Sequence, residues 1–199
     1  MPSPPDLPGK DPIAGKSVEM THVSLGGQID ELDKWAFPYL DEDHNRYASR
    51  LLEEADALLL GRLSYEGMAD AYLKMAEQAP PGVPTDFIDR MNSIPKHVAS
   101  RTGAETPSWN ATRIEGDVAA AVAELKAGGA SLVKYGTGEL DTTLLEHGLI
   151  DELHLSLAPV AAGHGERLFE HLPEAPRLEL QDVTRFDSGV LLLVYTPTI

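Results

Sequence analysis

The sequence predicts an α/β protein with a mostly parallel central sheet that ends in an antiparallel hairpin. Three observations carry this. Ala57-Leu58-Leu59-Leu60 is an apolar run without alternation, ending at Gly61, as expected of a strand covered on both faces. Segments with helical spacing alternate with strand-like segments over most of the chain, which implies right-handed crossovers. Near the end, the strand-like stretches 177–186 and 190–196 are separated only by Asp187-Ser188-Gly189, a hairpin junction.

The elements follow in order. Five prolines fall in residues 1–12, so 1–16 is expected to be an arm or disordered tail, with the fold proper over 17–199. Val18, Met20, His22 and Ser24 alternate with their neighbours in a first strand closed by Gly26-Gly27. A loop with Trp35, Phe37 and Tyr39 leads to a helix over 41–55, where Tyr47, Leu51, Leu52 and Ala55 share one side. The 57–60 strand precedes a helix over 64–76, then a Pro-rich loop, a short helix over 86–92 and a strand at 97–99. Asp117 caps an alanine-rich helix to Ala127, which Gly128-Gly129 stops. The strand 131–135 runs into Gly136-Thr137-Gly138, a helix spans 140–147, and the strand 152–158 precedes the hairpin.

A chain of 199 residues can bury a core without disulfides, and it has no cysteine, which removes thiolate metal sites and thiol nucleophiles. With 16 Lys and Arg against 32 Asp and Glu, the net charge of −16 repels nucleic acid and anionic membranes. No apolar stretch approaches the roughly 20 residues of a membrane span, and a cytoplasmic protein is expected. Seven histidines show no His-Glu-x-x-His pattern, so no metal is expected.

In open α/β sheets ligands bind beyond the carboxyl ends of the strands. Three loops should lie there: Gly61-Arg62 with Ser64; Ser100-Arg101-Thr102; and Gly136-Thr137-Gly138-Glu139. Together they offer backbone N–H groups, hydroxyls and two guanidinium groups to phosphate oxygens. Taken singly, each arginine reads more readily as half of a surface ion pair. In a chain so poor in cations, placing Arg62, Arg101 and Lys134 near three strand ends suggests a local anion site.

These residues resemble the dihydrofolate reductase-like superfamily, and within it the reductase (C-terminal) domain of the bifunctional riboflavin-biosynthesis deaminase/reductase. The resemblance rests on Ala55-Asp56-Ala57-Leu58-Leu59-Leu60-Gly61-Arg62, Tyr65-Glu66, Asn92 with Pro95-Lys96, Ser100-Arg101-Thr102 and Gly136-Thr137-Gly138-Glu139-Leu140. It continues through His147-Gly148-Leu149-Ile150-Asp151-Glu152-Leu153, Pro159-Val160 and Gly163-His164-Gly165-Glu166-Arg167-Leu168-Phe169. It implies a three-layer α/β/α fold and an NADPH-dependent reductase of a small planar heterocycle, a pterin or pyrimidine, or of a carbonyl compound.

By that resemblance, Gly61, Arg62 and Gly136 to Glu139 hold the pyrophosphate, and Ser100, Arg101 and Thr102 surround the adenosine 2′-phosphate. One departure stands out: the family's first strand ends Ser-Leu-Asp-Gly, whereas this chain has Ser24-Leu25-Gly26-Gly27 and lacks that carboxylate. Asp41 and Asp43 are then the candidates for positioning the water that supplies a proton, although acidic residues in a first helical turn commonly serve the helix dipole. Trp35, Tyr39 and His164 are candidates for the substrate side. The other reading is a non-catalytic NADPH-binding or structural homo-oligomeric protein of the same fold. A homodimer through the C-terminal strands is expected, because 190–195 is apolar on both faces and an uncovered strand of that kind invites aggregation.

Overall fold

The computed structural model describes residues 12–78, 84–101 and 108–198. Eight strands form one sheet in the order β4-β3-β2-β5-β1-β6-β8-β7. Here β1 is Ser17–Ser24, β2 Ala57–Gly61, β3 Lys96–Ala99, β4 Ala111–Arg113, β5 Leu132–Tyr135, β6 Glu152–Ala158, β7 Arg177–Arg185 and β8 Leu191–Thr198. The first six in sequence pair parallel, and β8 runs antiparallel to both β6 and β7. β4 is a three-residue edge strand that the sequence pattern does not show, because Ala-Thr-Arg carries no periodic signal.

Helices cover both faces. α2 (Glu42–Glu54), α3 (Arg62–Gln78) and α4 (Thr85–Ser93) pack on one side, where Leu51, Leu52, Tyr65 and Met91 meet Met20, Leu58, Leu60 and Val133. α5 (Val118–Ala127) and α6 (Glu139–Glu146) cover the other, where Val122 and Leu144 meet Leu59, Leu132 and Leu153. The three layers follow from β2: Leu58, Leu59 and Leu60 are all fully buried, alternate residues entering alternate cores. α1 (Leu32–Trp35) and a 3-10 turn (Phe37–Tyr39) lie where the sequence suggests only a loop.

Packing starts ahead of β1. Ile13 is buried, its N–H donates to Glu54, and Lys16 pairs with Glu152 at 2.7 Å. From Glu152 a buried polar chain runs inward: Glu152 meets His154 Nε2 at 2.9 Å, and His154 Nδ1 meets the Tyr47 hydroxyl at 2.6 Å. A cavity of about 350 Å³ opens beside Lys16 and Glu152, at the amino ends of the parallel strands. Among the described residues no helix is long and apolar enough to cross a membrane.

Candidate functional site

The first three loops singled out above meet beyond the carboxyl ends of β2, β3 and β5. A Cβ built on Gly136 would lie 3.8 Å from Ser64 Oγ, which joins the β2–α3 loop to the turn after β5. The Arg101 guanidinium pairs with Glu139, which joins the end of β3 to the start of α6. Arg62 forks onto Glu66 one helical turn away, at 3.0 Å. Both arginines therefore face solvent with a glutamate partner that an incoming anion would have to displace. Thr102 lies outside the described residues.

The turn itself has two kinds of glycine. Gly136 sits at φ 74°, the left-handed region that favours glycine. Gly138 has extended backbone, and a Cβ there would meet no atom within 4 Å. Nothing in the protein requires glycine at 138, so open space lies against its backbone. Thr137 Oγ1 in the same turn is buried without a hydrogen-bond partner. The Gly136 and Gly138 N–H groups are already taken, by the Met20 carbonyl and Asp141, so what the turn offers a phosphate-bearing ligand is the space against Gly138, the orphaned Thr137 hydroxyl and the following helix start.

Beneath the turn lies a charge cluster that sequence reasoning missed. Lys134, counted above among the strand-end cations, is instead buried and unavailable to a ligand. It pairs with Asp141 at 2.6 Å, lies 3.6 Å from Glu19 and donates to the Gly136 carbonyl. Asp141 also accepts the Gly138 N–H. Burial draws the Lys134 ammonium down, but the two carboxyl groups outweigh it and raise it above its ordinary range. Burial is also the main cause that pushes Glu19 well above the usual carboxyl range, against the pull of Lys134. The only sequence signal was a charged residue at an inward position of each of two neighbouring strands.

On the other flank, Asp41 caps α2 by accepting the His44 N–H, and it also accepts the Ser188 N–H from the β7–β8 turn. Asp43 accepts the Asp187 N–H and pairs with Arg46. Both carboxylates thus tie α2 to the hairpin. Desolvation raises the Asp41 carboxyl, but its backbone hydrogen bonds together outweigh that and hold it below its ordinary value. Trp35 is buried with Nε1 donating to the Asp30 carbonyl, Tyr39 packs against the core, and His164 is exposed.

The 159–168 segment lies directly on the loop after β1. Ala162 O accepts from Ser24 Oγ, Val160 O from Leu25 N–H, and Gln28 bridges Arg167. A Cβ on Gly26 would lie 1.9 Å from Ala162 O. The carboxylate absent from position 26 is therefore one this loop pair has no room for. Gly165 is close-packed in the same way, since a Cβ there would lie 2.2 Å from Asp30 Oδ1.

The model of the RibD C-terminal domain family matches residues 20–192. The chain belongs to this family. It is 32% identical over 145 residues to YyaP, an uncharacterized protein of Bacillus subtilis (strain 168), covering 72% of this chain and 75% of that one. Among solved structures it is similar to a candidate riboflavin biosynthesis protein from Shewanella sp. PV-4, with a TM-score of 0.64 at 20% identity over 92% of this chain and 99% of that one. Dihydrofolate reductase from Enterococcus faecalis, solved with NADP(H), has a TM-score of 0.56 at 14% identity, covering 93% of this chain and 98% of that one. The fold of this family member is dihydrofolate reductase-like.

Proposed function

We propose that this protein is a cytoplasmic NADPH-dependent reductase of a small planar heterocycle, of the pterin or pyrimidine kind, or of a carbonyl compound. The observation that carries the reading is the Gly136-Thr137-Gly138 turn, with open space against Gly138 and an unpartnered Thr137 hydroxyl. Family membership and the NADP(H)-bound fold neighbour support it. Gly61, Arg62, Ser64 and Gly136 to Glu139 would hold the pyrophosphate. Ser100, Arg101 and Thr102 would hold the 2′-phosphate, with Arg101 released from Glu139 as the phosphate takes its place.

NADPH supplies a hydride when bound. The chain's own part is to position a flat acceptor beside it and to admit a proton. Trp35, Tyr39 and His164 flank the substrate side. Asp41, held ionised by the His44 and Ser188 N–H groups, is suited to ordering a water rather than to donating a proton itself.

A second reading, a coenzyme-binding or structural protein without turnover, draws on Gly26, where the family pattern has a carboxylate. Loss of NADPH absorbance with a panel of pterins, pyrimidines and carbonyl compounds separates the two. Turnover with one of them supports the reductase, binding without turnover supports the second reading, and no coenzyme binding contradicts both NADPH-dependent forms.

We also propose a homodimer through the C-terminal strands. Val183 stands opposite Leu193, and Leu180 opposite Tyr195, on the α5–α6 side of the sheet. Leu180 is 50% and Val183 49% exposed, so that side of β7 and β8 lacks a covering helix. A second copy across a two-fold axis would supply the cover.

A further inference from the structure

The Gly136–Gly138 turn has a second wall, made by the segment between β6 and β7. Arg167, Phe169 and His171 line one narrow recess together with Thr137, Gly138 and Asp141. Its interior is about 10 Å³, close to the space of a single water, so a larger ligand would lie at the mouth, against the open backbone of Gly138. Arg167 is exposed, and its backbone is held in place: its N–H donates to Glu170 at 3.1 Å, Gln28 bridges it, and the Leu168 N–H donates to the Gly27 carbonyl. The segment is tied to α6 as well, where Thr142 Oγ1 donates to the His171 carbonyl.

The guanidinium itself is uncommitted. Arg62 and Arg101 are each paired with a glutamate, whereas Arg167 has no carboxylate partner among the described residues and reaches only the Gly163 carbonyl, at 3.5 Å. Charge balance at the turn calls for such a group. The first turn of α6 carries Glu139 and Asp141, which repel a phosphate. Lys134 neutralises Asp141 from beneath, but the Arg101 that neutralises Glu139 is the one a 2′-phosphate would draw away. A phosphate at this helix start then faces a bare Glu139, and a helix N-terminus offers only about half a positive charge. Arg167 is the arginine that lines the same recess and can supply a whole one.

We propose that Arg167 is a further phosphate-binding residue, its guanidinium gripping the coenzyme's pyrophosphate from the flank opposite Arg62 and Arg101. This deepens the NADPH reading and rests on it. The sheet order sets the two flanks: β3 and β2, which lead to Arg101 and Arg62, lie on one side of β5, and β1 and β6 lie on the other. A planar fork donating to two oxygens suits a pyrophosphate held across the turn. The contact does not involve the 2′-phosphate, so Arg167, unlike Arg101, serves NADPH and NADH alike.

The test measures NADPH, NADH and inorganic pyrophosphate on the full chain, the coenzymes by their fluorescence and pyrophosphate by phosphorus NMR. Arg167→Ala is expected to weaken both coenzymes by the same factor, about tenfold, and to weaken pyrophosphate with them. Arg167→Lys should recover part of the loss, because it keeps the charge without the fork. Melting curves check the fold, and should Arg167→Ala unfold, Arg167→Gln and Arg167→Lys decide. Unchanged coenzyme affinity in the variant would overturn the proposal, whether or not pyrophosphate weakens, since the phosphate held there would then belong to another ligand. A loss confined to NADPH would also overturn it, by moving Arg167 to the 2′-phosphate. A wild type that binds pyrophosphate through Arg167 but neither coenzyme would sink the NADPH reading and leave the phosphate contact standing. One that binds none of the three would contradict both.

Discussion

Lys134 and Asp141 form a 2.6 Å ion pair nearly out of contact with water, at the root of the Gly136–Gly138 turn. Each also holds one end of that turn, Lys134 at the Gly136 carbonyl and Asp141 at the Gly138 N–H. With Glu19 behind them, the candidate phosphate turn is shaped by a buried set of charges.

Asp141→Ala removes a charge from this buried set and leaves Lys134 with a protonation-prone Glu19. Breaking a buried pair from one side costs about 3–5 kcal/mol. A urea denaturation midpoint should show that loss. A change below about 1 kcal/mol, the worth of a surface pair, would mean that the cluster is better hydrated than its burial implies.

Arg101→Ala should weaken NADPH by about 1.5–3 kcal/mol, the range for hydrogen bonds to charged groups, and NADH much less. Titrations monitored by coenzyme fluorescence give both numbers. Equal weakening would remove Arg101 from the 2′-phosphate.

Gly138→Val should abolish coenzyme binding while the fold survives, because the backbone is extended and no atom lies within 4 Å of a Cβ there. Circular dichroism and melting check the fold. An unfolded variant would show that the turn itself needs the glycine.

Much of this was legible in the sequence, for a physical reason. Unbroken apolar runs, glycine stops and the Asp117 cap act locally, so β2, α5 and the final hairpin follow from the residues themselves. The Asp117 carboxylate does accept the Ala120 N–H. β4 was missed because three residues at an edge carry no period. The Glu19–Lys134–Asp141 cluster and the His22–His44 pair join residues far apart in sequence. Only the β1–β5 register and the packing of α2 on β1 bring them together. For the same reason the hairpin bonds of Asp41 and Asp43 could not be foreseen from a helix start.

Stability should fall on mild acidification. His22 and His44 take protons only at about 3 and about 4 in the fold, against an ordinary value of 6.5. Their contribution is complete above 6.5. As pH falls below that value the unfolded chain binds protons that the folded chain refuses, and stability drops by roughly 1.4 kcal/mol per pH unit for each ring. Urea midpoints between pH 7 and 4.5 should show the slope, and His44→Phe should about halve it. Equal slopes in both proteins would contradict the neutral imidazole pair.

Val183→Lys places a charge in the middle of the proposed dimer face, opposite Leu193. Light scattering should report twice the chain mass for the wild type and the single mass for the variant. A wild-type monomer at micromolar concentration would leave that face to another cover.

A crystal soaked with NADPH tests most directly whether the ends of β2, β3 and β5 hold the coenzyme. The expected density places the pyrophosphate against Gly136 to Gly138 and the 2′-phosphate at Arg101, with the Arg101–Glu139 pair opened. Density for the coenzyme elsewhere, or an intact pair with an empty turn at saturating NADPH, would contradict that placement.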